Sequence, residues 1–189
     1  MRSHTLLERY LDRRRFLKIG VHAALCGIFP TSAIAAVGRP RPSERTLFLY
    51  NVHTGQELDA CYYAHGRYQP EVLKKINHIL RDYRTGEIKP IRTELLNLLH
   101  SISKNLDGTA RIHIISGYRS PETNAKLRQR SKYVVKNSLH MKGEAVDIRV
   151  PDCRTKTLRN VCIQLNAGGV GYYRRSDFVH VDIGPVRHW

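Results

Sequence analysis

Long apolar runs are absent from this chain of 189 residues. The most apolar stretch, residues 19–29, is shorter than the ~20 residues that a transmembrane helix needs. It follows a basic segment, DRRRFLK at 12–18, and precedes the tripeptide AIA at 33–35, which is the order of parts in a cleavable export signal. The arginine pair in the basic segment further resembles a twin-arginine signal. An uncleaved anchor or a basic amphipathic helix is the alternative interpretation.

These features divide the chain into three parts. We expect a twin-arginine-type export signal over residues 1–35, a Pro- and Arg-rich linker over 36–45, and one domain over 46–189. The last part is long enough for a single hydrophobic core. The twin-arginine translocase would then deliver an exported, periplasmic protein that keeps no permanent membrane anchor.

Acidic residues are scarce, because 16 Asp and Glu stand against 32 Lys and Arg and give a net charge of +16. Such an excess suits a polyanionic partner, such as nucleic acid, acidic lipid or an anionic polymer of the cell envelope. The sequence lacks a dense block of basic residues interleaved with aromatic ones, which argues against nucleic acid. Together with the export signal, the charge favours the cell envelope.

The pattern C-x-x-C is also missing, so a zinc site made of thiolates is not supported. Beyond residue 35 the chain has three cysteines, and an odd number argues against a framework built only from disulfides. Cys153 and Cys162 could pair in an oxidising compartment, but Cys162 falls on the apolar face of a helix. We therefore expect buried free thiols, with the Cys153–Cys162 pairing left open.

The apolar pattern alternates between the periods of strands and of helices. Residues spaced three and four apart predict helices at 70–86, 91–103, 121–130 and 155–165. Alternating or continuous apolar stretches predict strands at 46–53, 57–63, 111–116, 145–150, 168–173 and 178–183. This order favours an α+β domain in which helices pack on a mainly antiparallel sheet.

The segment SLHMKGEAVD at 138–147 contains the first candidates for a metal site, His140 and Asp147. Gly143 and Ala145 between them are small, so the connection can fold back tightly. His180 can complete the set if its strand lies beside that of Asp147. Two imidazoles and one carboxylate, with a position open for water, are typical of catalytic zinc sites. Spacing alone does not separate this set from a chance pairing.

Several motifs together resemble a known family. The pattern S-x-H-x-x-G-x-A-x-D at 138–147, with SGYRS upstream and D-x-x-H downstream, resembles zinc D-Ala-D-Ala peptidases of the Hedgehog/DD-peptidase fold. A narrower resemblance, to exported murein endopeptidases of the K group, rests on five segments. They are LYNVHTG (49–55), SGYRS (116–120), GGVGYY (168–173), FVHVD (178–182) and GPVRHW (184–189).

The resemblance assigns roles to individual residues. It implies that His140, Asp147 and His180 bind Zn²⁺, and that a zinc-bound water attacks a peptide carbonyl. Arg119 would hydrogen-bond a substrate carboxylate or the developing oxyanion, for which a guanidinium is suited. Ser138 is expected to support the ligand loop through its hydroxyl.

The residue that accepts the proton of the water is harder to assign. In the wider fold an acidic residue three positions before the last histidine does this, which corresponds to Asp177. Alternation along a strand puts Asp177 and His180 on opposite faces unless Asp177 lies in a turn or at a bulge. Asp182 shares a face with His180, so it is expected to hold that imidazole or to act as an alternative base. Of Tyr172 and Tyr173, one must face away from the cleft.

The sequence therefore predicts a zinc-dependent peptidoglycan endopeptidase that cleaves the peptide cross-links of the bacterial wall. A D-alanyl carboxypeptidase that trims stem peptides is an alternative within the same chemistry. A noncatalytic wall-binding protein stabilised by zinc is an alternative of a different class, because a ligand set can persist where hydrolysis does not.

Overall fold

The computed structural model describes residues 44–189, so the predicted signal and residues 36–43 of the linker lie outside it. Its helices are α1 (Pro70–Ile79), α2 (Thr93–Leu106), α3 (Pro121–Arg130) and α4 (Thr155–Gln164). Its strands are β1 (Arg45–Asn51), β2 (Glu57–Ala64), β3 (Arg67–Tyr68), β4 (Ile112–Ser116), β5 (Ala145–Arg149), β6 (Gly169–Tyr173), β7 (Phe178–Asp182) and β8 (Arg187–His188). None of the helices in this range has the length and apolar character of a membrane span.

All eight strands belong to one sheet in the order β3-β2-β1-β4-β5-β7-β6-β8. The β1–β4 and β6–β8 pairs are parallel and the other neighbouring pairs are antiparallel. The predicted α+β class, with helices on a mainly antiparallel sheet, is therefore confirmed. Strand β7 lies beside β5, which is the condition for His180 to complete the candidate metal site with His140 and Asp147.

One face of the sheet carries the hydrophobic core, because apolar side chains alternate along each strand. In β5 and β7 the buried core residues are Val146, Ile148, Val179 and Val181. They join one apolar cluster with residues of α1, α2 and α4, whereas α3 buries only Thr123 and Asn124. The same alternation directs Asp147 and His180 to the opposite face. A buried core thus supports the strands from one side, and the polar site lies on the other.

Helix α1 ends at Ile79 and does not continue to residue 86 as the sequence predicted. The next carbonyl, that of Leu80, accepts a hydrogen bond from the Tyr118 amide at 2.7 Å. Gly117 approaches it so closely that a Cβ there would lie 2.4 Å from the Leu80 oxygen. The chain leaves the helix at this point because a tertiary contact uses the backbone group that the helix would need. This contact ties the segment after α1 to the loop that carries Arg119.

The remaining predicted elements are present, with bounds that differ by up to three residues. The sequence did not predict β3 and β8, because two residues are too few to show an apolar period. β8 matters most for function, since it brings the C-terminal residues 187–189 alongside β6.

Candidate active site

Three side chains on the face opposite the core come together as a group that can hold a metal ion. Asp147 lies directly opposite His180 in the β5–β7 register. The distance from His180 Nδ1 to Asp147 Oδ1 is 2.8 Å. His140 Nε2 lies 3.2 Å from His180 Nδ1 and 3.3 Å from Asp147 Oδ1. The structure therefore brings together all three residues that the sequence proposed as ligands.

His140 enters this group from a single turn of 3₁₀ helix, Leu139–Lys142. The hydroxyl of Ser138 accepts a hydrogen bond from the His140 amide at 3.3 Å, as expected from the sequence. Gly143 ends the turn at φ 70°, a left-handed conformation that favours glycine. A Cβ at Gly143 would lie 2.5 Å from the carbonyl oxygen of Pro90, so the turn also packs too closely for a side chain.

Hydrogen bonds outside the group fix which imidazole nitrogen faces inward. His140 Nδ1–H donates to the Gly117 carbonyl at 2.8 Å, and His180 Nε2–H donates to the Asp182 carboxylate at 3.1 Å. Because those oxygens can only accept, the neutral forms of both imidazoles turn a lone pair toward Asp147, from His140 Nε2 and from His180 Nδ1. A cation between these atoms, either a metal ion or a proton on His180, removes the repulsion between the lone pairs and the carboxylate.

The pKa shifts of Asp147 and His180 also favour a positive charge within this group. Burial alone would raise the pKa of Asp147, but the charges and hydrogen bonds of His140 and His180 hold it below its usual value. Burial lowers the pKa of His180, yet the hydrogen bonds to Asp147 and Asp182 outweigh it and raise the pKa to about 9. The site thus favours an ionised carboxylate and a positive charge.

The dimensions fit a small divalent cation. Tetrahedral coordination with bonds of ~2.0–2.1 Å separates ligand atoms by ~3.3 Å, close to the spacing of these three atoms. Each imidazole also has its outer nitrogen bound to an oxygen acceptor, the usual support for a histidine ligand. The residues present therefore fit a metal with two nitrogen ligands and one oxygen ligand.

Arg119 lies beside this group on the loop between β4 and α3. Its Nη2 is 3.7 Å from Asp147 Oδ2, and its side chain is 11% exposed. Its amide donates to the carbonyl of His140 at 3.3 Å, which joins the arginine loop to the ligand loop. Within residues 44–189, the buried Nε of Arg119 has no hydrogen-bond partner. The guanidinium thus keeps donor capacity at the site.

A second buried carboxylate holds the arginine loop in place. Asp82, 2% exposed, accepts hydrogen bonds from the Ser120 amide at 2.9 Å and from its hydroxyl at 2.7 Å. The same hydroxyl accepts from the Thr123 amide and caps α3. Arg119 is therefore fixed between two anchored neighbours, since Tyr118 also donates to Glu87 at 2.6 Å.

Asp182 is fully buried and lies directly behind His180. In addition to the His180 imidazole, it accepts hydrogen bonds from the amides of Gly169 and Gly184 and from two nitrogens of Arg187. Five donors saturate the roughly four lone-pair sites of a carboxylate. These donors also hold its pKa below the usual value despite burial. The surroundings support the expectation that Asp182 orients His180 and leave it no free oxygen for accepting a proton.

Asp177 does not join the group. It lies in the turn between β6 and β7 with φ 52°, and its side chain is 57% exposed. The carboxylate accepts from Arg149 Nη1 at 3.3 Å and from the hydroxyl of Thr155, and these contacts lower its pKa. Asp177 is absent from the cavity lining, so its turn position does not direct the carboxylate toward His180.

A cavity of about 830 Å³ opens over the candidate ligands. Tyr173 and Phe178 stack at 4.5 Å along one wall, and Trp189 donates from Nε1 to the Tyr173 hydroxyl at 3.3 Å. Tyr172 packs against the core instead, as the alternation of a strand requires. The other lining residues include Arg119, Tyr133, Val135, Ser138 and Arg187. An elongated substrate would meet cationic, aromatic and metal-binding groups in one cleft.

Sequence reasoning did not place Tyr133, Arg187 or Trp189 at this site. Their neighbour His188 is exposed and does not line the cavity. The resemblance of GPVRHW to the murein endopeptidase motif was the only available signal. Cys61, Cys153 and Cys162 are free thiols here, and Cys162 is buried as predicted. Cys61 and Cys153 are instead partly exposed, because Cys61 alternates with the buried residues of β2 and Cys153 lies at the margin of the core.

Comparison with known proteins gives relatives of nearly the same length. The peptidoglycan L,D-endopeptidase MepK of Escherichia coli K12 is 43% identical over 178 residues, which is 94% of this chain and 97% of the relative. The probable peptidoglycan L,D-endopeptidase MepK of Haemophilus influenzae is 38% identical over 183 residues, or 95% of this chain and 97% of the relative. No solved structure matches the chain significantly.

The family model described as peptidoglycan L,D-endopeptidase MepK matches residues 39–189, which include the whole described domain and every residue of the candidate site. A match of this extent, together with two relatives above 30% identity, agrees with the resemblance found in the motifs. The chain belongs to the MepK family of peptidoglycan endopeptidases.

Proposed function

We propose that this peptidoglycan hydrolase is a zinc enzyme that cleaves L,D-peptide bonds in the cross-links of the bacterial cell wall. The observation that carries the proposal is the inward-facing set of His140 Nε2, Asp147 Oδ1 and His180 Nδ1 at the floor of the cavity. The bond type comes from the names of the relatives, which are L,D-endopeptidases. The α+β arrangement further supports a Hedgehog/DD-peptidase type of fold.

Each side chain has a distinct task in this mechanism. His140, Asp147 and His180 would hold the zinc ion, which when bound lowers the pKa of water to about 7 and polarises a carbonyl oxygen. Arg119 would donate from its guanidinium to a substrate carboxylate or to the oxygen that gains charge. Asp182 keeps His180 in the tautomer that presents Nδ1, and the wall formed by Tyr173 and Phe178 lines the substrate cleft.

The proton acceptor remains a prediction from the resemblance, with Asp177 first and Asp182 second. The contacts of Asp177 with Arg149 and Thr155 support a role in holding the β6–β7 turn. Those of Asp182 support a role in holding His180. These contacts therefore support positioning roles for both residues, in contrast to the proton-accepting role that the resemblance implies. Loss of turnover with zinc still bound in Asp177→Asn or Asp182→Asn would identify that residue as the proton acceptor.

We also infer that residues 1–35 form a twin-arginine export signal and that the domain acts in the periplasm. The basic segment, the short apolar run and the AIA tripeptide support this inference. The substrate agrees with it, because peptidoglycan is an extracytoplasmic polymer. Residues 36–189 carry 26 Lys and Arg against 14 Asp and Glu, and this net charge of +12 also suits an anionic wall.

The deciding experiment treats purified protein with cross-linked muropeptides, with and without a chelator, and reads the products by mass. We expect dimers joined through an L,D bond to be split, activity to disappear on chelation and return with zinc, and His140→Ala to be inactive. Full activity of a demonstrably metal-free preparation would contradict the zinc mechanism.

The substrates also distinguish the alternatives. Release of only terminal D-alanine from uncross-linked stem peptides would identify a carboxypeptidase. Zinc binding and wall binding without any product would identify a noncatalytic protein. Cleavage of dimers that carry only D,D cross-links would contradict the L,D assignment while leaving the zinc mechanism in place.

A further inference from the structure

The C-terminal tail reaches the back of the candidate metal centre, although none of its side chains is a candidate ligand. Arg187 donates from Nη2 to Asp182 Oδ2 at 2.7 Å and from Nη1 to Asp182 Oδ1 at 3.2 Å. This is a two-pronged pair with a carboxylate that is completely buried. The oxygen bound by Nη2 is the same one that accepts from His180 Nε2.

The consequence for His180 follows from this shared oxygen. A forked guanidinium fixes both the position and the plane of a carboxylate, which a single donor does not do. The Asp182 plane in turn decides where the Nε2–H of His180 points. It therefore decides the direction in which Nδ1 of His180 faces. Arg187 is two contacts away from the ligand atom yet restricts its orientation.

Arg187 is itself held by the end of the chain. Its Nη1 donates to the Pro185 carbonyl at 2.8 Å, and its guanidinium lies 5.2 Å from the centre of the Trp189 ring. Trp189 pairs its backbone with β6, donating to the Val170 carbonyl at 3.1 Å and accepting from the Tyr172 amide at 2.9 Å. The tail is thus an ordered part of the sheet edge.

The Trp189 ring also covers one flank of the centre. It lies over Gly171, where a Cβ would be only 2.7 Å from the ring. Gly171 is the direct register partner of His180, and the indole centre lies 5.5 Å from the imidazole centre. A glycine at this position of β6 is therefore required for the indole to reach the histidine.

We propose that Arg187 is a positioning residue of the metal centre, which holds His180 through Asp182 so that metal affinity depends on this residue of the C-terminal tail. This inference rests on the proposed function, because it assumes that His140, Asp147 and His180 bind the metal. Supporting residues behind a metal ligand typically contribute ~10–100-fold to metal affinity. A guanidinium that clamps a buried carboxylate belongs to this class of support.

The test measures zinc affinity of the apoprotein by competition with a chromophoric chelator, in wild type, Arg187→Ala and Arg187→Lys. We expect Arg187→Ala to weaken zinc binding ~10–100-fold and Arg187→Lys, which keeps charge but not the fork, to weaken it by less. The matched control is Arg128→Ala, which removes the same charge from an exposed position on α3 and should bind zinc as wild type does.

A second readout separates positioning from general stability. Cobalt substituted for zinc should show a visible absorption spectrum that shifts in Arg187→Ala, because the geometry at His180 changes. If Arg187→Ala does not fold, the Arg187→Lys variant decides by the same titration. Wild-type affinity and an unchanged cobalt spectrum in the folded Arg187 variants would overturn the inference. Wild-type protein that binds no zinc would instead overturn the proposed function.

Discussion

Asp147 contacts both candidate histidine ligands and lies 3.7 Å from Arg119, so one carboxylate joins the metal group to the substrate-facing cation. Its ionised form is favoured by these neighbours in spite of burial. An isolated buried charge would be costly, and the arrangement is stable only with positive charge on several sides. The residue therefore connects the two functions proposed for the site, which are metal binding and recognition of a carbonyl or carboxylate.

At Asp177 the contacts predict a small effect of mutation. Asp177→Asn keeps a side chain that tolerates φ 52° but loses the charge that pairs with Arg149. Exposed ion pairs contribute ~0–1 kcal/mol to stability, so we expect a loss within that range and turnover within ~10-fold of wild type. Urea unfolding and steady-state hydrolysis check both values. If turnover instead falls by about two orders of magnitude while zinc stays bound, Asp177 is the proton acceptor.

The grouping of the three candidate ligands could be predicted from sequence because residue type and motif spacing carry that information. His140 and Asp147 are close along the chain, and the motif around His180 supplied the third member. Strand alternation predicted that Asp182 would lie beside His180, but the other donors around Asp182 and the contacts of Asp177 could not be predicted, because they come from distant elements. Asp182 in particular becomes a saturated acceptor only when Arg187 folds back onto it.

At the scale of elements, the site depends on two loops that are fixed from outside. The loop before α3 is bound to Asp82 and to the Leu80 carbonyl, and the 3₁₀ turn packs against Pro90. All three anchors lie in the segment between α1 and α2. The early end of α1 frees the Leu80 carbonyl, which holds the loop that carries Arg119, and helical periodicity alone gives no indication of it.

We expect Gly143→Ala to disturb the site more than an ordinary left-handed glycine would. A Cβ at residue 143 meets the Pro90 backbone oxygen at 2.5 Å, whereas at Gly86, with φ 76°, it would meet nothing within 4 Å. Gly86→Ala should therefore lower the free energy of unfolding by only ~1 kcal/mol. Gly143→Ala should lose a further ~1–3 kcal/mol through the backbone clash, and should also weaken zinc binding because His140 moves.

Urea unfolding of both glycine variants, with zinc titration of each folded protein, measures this difference. Equal losses of stability and unchanged zinc affinity in the two variants would show that the turn can shift away from Pro90 without moving His140. Such a result would mean that the contact with Pro90 does not hold the loop that carries His140.

At the scale of the whole molecule, the site joins parts of the chain that are far apart in sequence. One candidate ligand comes from the 3₁₀ turn, one from β5 and one from β7, and the support behind them comes from β8. The class of fold and most elements were predictable from the apolar periods. The convergence of these elements at one site could not be predicted in this way, because the strand order of the sheet determines it.

A metal that binds these three elements should stabilise the entire fold, since the unfolded chain does not hold its ligands together. Ligand binding raises the free energy of unfolding by ~2.7 kcal/mol when free ligand is 100 times its Kd. For a domain of this size that corresponds to a rise in Tm of roughly 5–10 °C. Thermal unfolding of the apoprotein with and without zinc measures the shift, and His140→Ala, which lacks one ligand, should lose most of it. An identical Tm for wild-type apoprotein in zinc and in chelator would mean that the three elements do not share a metal ion.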